Sequence, residues 1–117
     1  MVSSGLIFKI LDDALWQEAQ RAGVFRGAPV DHADGYIHFS TSEQVVEIAR
    51  RHFAGRDDLV LLAIDTAKLN AEALKWEPSR GGDLFPHLYG DLPLTTVLWA
   101  KPLPLVHGQH IFPDLAS

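Results

Sequence analysis

Apolar residues recur along this chain with two periods, and the switches between them set the expected elements. Leu6-Ile-Phe-Lys-Ile-Leu11 is a short apolar run bounded by Gly5 and Asp12, the signature of a first strand. Lys9 interrupts it, either as a side chain that snorkels to water or as a cation facing a ligand. Asp12 then caps a helix running to about Ala22, with Leu15, Trp16 and Ala19 at helical spacing and Gly23 as its stop. Residues 24–30 read as a connector, with Arg26, Gly27 and Pro29 as loop chemistry. Asp34-Gly35 signals a turn, after which the period drops to two. Ile37 and Phe39 fall on one face of this strand, and Tyr36, His38 and Ser40 on the other. Ser40 or Thr41 then caps a second helix, backed by Glu43 or Gln44. Val45, Val46, Ile48 and Ala49 make its buried stripe, and it ends near Phe53 with Gly55 as the stop.

The second half is predicted to be mostly strand and loop. Asp58-Leu-Val-Leu-Leu-Ala-Ile-Asp65 is almost continuously apolar, as a strand covered on both faces must be. Residues 66–70 read as a helical turn and 74–77 as a brief strand that puts Trp76 and Glu77 on opposite faces. Pro78-Ser-Arg-Gly-Gly-Asp83 is a loop whose glycines free backbone N–H groups and whose Arg80 offers a planar fork for phosphate. Leu84-Phe-Pro-His-Leu-Tyr-Gly90 reads as a rigid aromatic loop, a candidate site wall. Residues 95–105 form a last strand or pair, which Pro102 and Pro104 place at a sheet edge. The core is expected within residues 6–105 of a single domain spanning 1–117, followed by an irregular tail over 106–117.

Composition narrows the function classes. A chain of 117 residues with 47% hydrophobic side chains can bury one core. Its net charge of −5, without a run of Lys or Arg, disfavours a general nucleic-acid binder. No cysteine is present, which excludes disulfides and thiolate metal sites and fits a cytoplasmic protein. No basic-then-apolar leader opens the chain, so neither a signal peptide nor a membrane partner is expected.

Three chemistries compete for the polar residues. A hydrolase triad would draw on Ser40, Thr41 or Ser42 near His38, but the Gly-x-Ser-x-Gly elbow is absent. A metal-dependent hydrolase could use His38 and His87 with Glu77 or Asp83, although no standard ligand spacing is present. A nucleotide pocket fits the residue types best. Lys9 or Arg80 would hold phosphate, Tyr36 or Tyr89 would stack, and His38 with Ser40 would hydrogen-bond ribose. A binding module without catalysis is the remaining alternative.

Four segments carry a family resemblance: Ile7–Ile10, Asp34–Thr41, Asp58–Leu62 and Ser79–Gly90. They resemble the bacterial domain-of-unknown-function family 952 over nearly the whole chain to Leu105. That family is grouped by fold with the ADP-ribosyltransferases. The resemblance therefore implies an α+β fold with a split, bent, mixed or antiparallel sheet, two main helices and an NAD-type cleft. It implies NAD as the cofactor. Lys9 falls where the superfamily places a basic or His contact on the first strand, and His38 with Ser40 falls at its second-strand position. The superfamily's late strand supplies a Glu that polarises ribose. Its nearest counterpart here bears His87 instead, with Glu77 upstream. On this basis His38, His87 and Glu77 are the candidate catalytic residues. Lys9, Tyr36, Ser40, Thr41, Arg80, Asp83 and Tyr89 are the candidate ligand contacts.

Overall fold

A computed structural model describes residues 5–79 and 81–115. In chain order the elements are β1 (Leu6–Asp12), α1 (Asp13–Ala22), β2 (Val24–Phe25), α2 (Pro29–Asp34), β3 (Ile37–His38) and α3 (Val45–His52). Then come β4 (Leu59–Asp65), β5 (Leu74–Pro78), β6 (Leu84–Leu88), β7 (Leu92–Pro93), β8 (Val97–Pro102), β9 (Leu105–Val106) and β10 (Gln109–His110). Short 3-10 turns cover Thr66–Lys68 and Leu94–Thr96. The result is a single α+β domain of mostly antiparallel sheets. Its radius of gyration, 13.5 Å, matches the roughly 13 Å expected for one domain of about this length.

Two three-stranded antiparallel sheets frame the molecule, ordered β1-β4-β8 and β3-β6-β5. β4 is the middle strand of the first, and Leu59 to Ile64 are all buried, as its unbroken apolar run requires. Alternation along β1 and β4 feeds two cores. Phe8, Ile10, Leu59, Leu61 and Ala63 pack with Val45 and Ala49 of α3. Ile7, Leu11, Val60, Leu62 and Ile64 pack with Ala19 of α1 and with Ile37 and Leu88 from the second sheet.

The segment around His38 joins the two sheets. Ile37 and His38 pair with Leu88 and His87. The Phe39 N–H donates to Pro86 O at 3.0 Å. Proline has no N–H to return the bond, so the pairing stops there. The chain then crosses to β1, where Ser40 and Phe8 exchange backbone hydrogen bonds of 2.9 and 2.7 Å.

Four expectations change. Residues 29–34 form a helix rather than a connector: Pro29 stands at its first turn, and Gly35, at φ 89°, closes it by donating to Asp31 O at 2.8 Å. Of the expected aromatic loop 84–90, residues 84–88 form strand β6, paired on both sides. The tail contains the small β9–β10 hairpin. The second helix also starts later than expected. Residues 42–44 are a turn, and Gln44 accepts from the Thr41 N–H at 3.0 Å without either Ser40 or Thr41 capping by its side chain. Among the described residues no helix is long and apolar enough to cross a membrane.

Candidate functional site

Directly opposed residues of an antiparallel pair point to the same side of the sheet. The register His38↔His87 therefore puts both imidazoles on one face, with ring centroids 5.5 Å apart. Alternation brings Tyr36, Tyr89 and Glu77 to that face as well. Tyr36 stacks on His87 at 4.1 Å and lies 4.7 Å from the His38 ring and 5.2 Å from Tyr89. Ile37 and Leu88 turn the other way, into the core.

Each imidazole is held by a carboxylate. Asp31 of α2 is 2% exposed, and its side chain accepts four hydrogen bonds. Oδ1 receives His38 Nδ1 at 2.6 Å, the His38 N–H at 3.1 Å and Lys9 Nζ at 3.0 Å, while Oδ2 receives the Ala28 N–H at 2.7 Å. Burial works against the charged form of Asp31. The His38 hydrogen bond, the Lys9 ammonium and the two backbone N–H groups outweigh it, and the pKa drops to about 2. Burial likewise pushes the Lys9 ammonium below its usual value, against the pull of Asp31.

Around His87 the arrangement is reversed. His87 is buried, and its Nδ1 lies 2.8 Å from Glu77 Oε1, which also accepts from the Tyr89 hydroxyl at 2.8 Å. The His87 and Tyr89 hydrogen bonds hold the Glu77 carboxyl below the usual carboxylate range. Among the described residues no sealed side-chain nitrogen or oxygen lacks a partner. His87 Nε2 makes no hydrogen bond to a described residue, and the ring keeps 5% exposure beneath Tyr36.

The expected contacts divide as follows. Tyr36, His38, Glu77, His87 and Tyr89 come together, and Lys9 reaches the cluster from beneath, through Asp31. The Lys9 side chain does not snorkel: it lies between Ile7 and Leu11, on the β1 face that meets the second sheet, and its ammonium is spent on Asp31. Ser40 is buried at the junction with β1. Thr41 lies instead in a separate cleft of about 380 Å³, where it meets Leu74 and the half-exposed Trp76. Asp83 closes the β5–β6 hairpin, four residues and about 13 Å of strand from His87. Arg80 lies outside the described residues.

Two members of the site, Asp31 and Asp34, escaped the reading of the chain. Asp34 Oδ2 lies 2.8 Å from His38 Nε2. A signal existed: Pro29 and Gly35 bracket a six-residue segment in the helical order, and a lysine inside an apolar strand calls for an acidic partner. Among the described residues no three His, Asp or Glu side chains are arranged to hold a metal ion, and both His38 nitrogens are already engaged.

With this architecture in view, the chain is placed by comparison. The model of the family described as Protein of unknown function (DUF952) matches residues 10–100, and the chain belongs to that family. It is similar to protein CC0527 from Caulobacter crescentus, whose X-ray structure superposes with a TM-score of 0.85 at 47% identity over 91% of this chain and 93% of that one. A crystal structure of a double methionine mutant of CC0527 gives 0.85 at 46% identity over the same shares of the two chains. Its solution NMR structure gives 0.80 at 47% identity over 90% of each. No curated protein matches.

Proposed function

We propose that the face bearing Tyr36, His38, His87 and Tyr89 binds a nucleotide of the NAD or ADP-ribose class. Glu77 and His87 would act there at the ribose, in N-glycosidic cleavage or ADP-ribosyl transfer. The supporting observation is the meeting of two carboxylate-held imidazoles with two tyrosines on one side of one sheet. Tyrosine faces suit a planar base. Glu77 is the group suited to polarise a ribose hydroxyl and to stabilise positive charge as the C1–N bond lengthens. In that step the bonding pair leaves with the base. Water or an acceptor hydroxyl adds at C1, and its proton passes to His87 Nε2, an imidazole oriented by Glu77 through Nδ1. The Glu expected on a late strand is thus replaced by one from the neighbouring strand, β5.

Calorimetric titration with NAD, ADP-ribose and 2′-phosphorylated RNA ends is the test, and no heat with any of them removes the reading. Glu77→Gln should keep nucleotide affinity within about threefold while base release falls at least about a hundredfold. Loss of binding in His38→Ala, with no base release in either form, would leave a binding module without catalysis.

A further inference from the structure

We infer, resting on the nucleotide reading, that Asp34 occupies the place of an anionic ligand oxygen at His38 Nε2, and that a phosphate oxygen of the nucleotide displaces it. The two carboxylates on this ring are not equivalent. Asp31 is buried and fixed by four donors from three places in the chain. Asp34 is the last residue of a six-residue helix, its side chain is 47% exposed, and Gly35 follows it at positive φ. Its contact with the ring is therefore the one that can yield. Both ring nitrogens face carboxylate oxygens, so both contacts are hydrogen bonds only when both nitrogens carry protons.

A charge count then identifies what could replace Asp34. With a proton on each His38 nitrogen, Lys9 and His38 bring two positive charges, and Asp31 and Asp34 bring two negative ones. Release of Asp34 leaves one excess positive charge behind an outward N–H, a partner for an anionic oxygen. Lys9 cannot take the anion itself, since its ammonium is buried on Asp31. Glu77 adds a further negative charge on this face, and Lys75, paired opposite His87, brings the positive charge that offsets it.

The experiment titrates inorganic phosphate into the full chain and follows the imidazole nitrogen resonances by NMR. Asp34→Ala should bind phosphate about tenfold more tightly than the wild-type protein, with the largest shift at His38 Nε2. Asp34→Asn, which keeps the side-chain volume, should show a smaller gain, and adding His38→Gln to Asp34→Ala should abolish it. Unchanged phosphate affinity in Asp34→Ala, or a gain that survives His38→Gln, overturns the inference. ADP-ribose is titrated in parallel. If Asp34→Ala gains phosphate affinity and neither form binds ADP-ribose, the nucleotide reading fails alone. If the wild-type protein binds ADP-ribose and Asp34→Ala gains nothing, this inference fails alone.

Discussion

Two of the carboxylate–imidazole contacts among the described residues, Asp31–His38 and Glu77–His87, are opposites in burial. In Asp31–His38 the acid is 2% exposed and the ring 30%. In Glu77–His87 the ring is 5% exposed and the acid 34%. The same chemical pair therefore does two jobs. Where the acid is sealed, it anchors the fold and presents an imidazole. Where the ring is sealed, it presents the carboxylate. The difference traces to position, since Asp31 sits against Lys9 between the layers, whereas Glu77 stands on the edge strand β5.

That asymmetry can be broken most directly by truncating each acid. Asp31→Ala strands the Lys9 ammonium and three other donors in the interior, and should cost about 3–5 kcal/mol of unfolding free energy. Glu77→Ala strands only the buried His87 Nδ1 and should cost clearly less in the same urea titration. Equal losses would erase the distinction.

Acid should reach the first pair through its buried carboxylate. The Asp31 pKa is depressed to about 2 from the ordinary aspartate value of 3.8. A depressed carboxyl contributes stability above its unfolded value and loses it as the pH falls through the folded one. Between about pH 4 and pH 2 the protein should lose about 2 kcal/mol on this account. Asp31→Asn should flatten that limb of the stability curve.

The smallest effect is spectroscopic. The chain has two tyrosines, both at the site. Tyr36 is raised above the ordinary tyrosine value by burial and by Asp34 and Glu77. Tyr89 is raised chiefly by its hydrogen bond to Glu77. An alkaline absorbance titration should show both ionising late, and Glu77→Gln should bring Tyr89 back down. Ordinary titration of both rings in the unmodified protein would contradict the geometry.

Local pattern carried much of this. The alternation Tyr36-Ile37-His38-Phe39 placed His38 on the polar face, and the run Leu59–Ile64 marked the covered strand. The Asp12 cap and the Gly23 stop were both legible, since Asp12 accepts from the Leu15 N–H at 2.8 Å and Gly23 adopts φ 79°. Other features depend on partners remote in the chain. Helix α2 is too short to hold itself, and Asp31, which ties it to β1 and β3, lies 22 residues from Lys9. Pro86 disguised β6 as a loop, because a proline in a middle strand is unexpected. It is tolerated where β3 departs and no N–H is needed. Thr41 adjoined the polar face in sequence, yet the crossing at Ser40 carried it to another cleft.

The crossing has a mechanical corollary. Phe39 is fastened to one layer and Ser40 to the other, so a single peptide unit spans the seam, one residue beyond the His38 ring. Shear between the layers cannot be absorbed in slack chain there and must pass into the imidazole's aim. Substitutions deep in either layer, far from any ligand, can therefore detune the site without touching it.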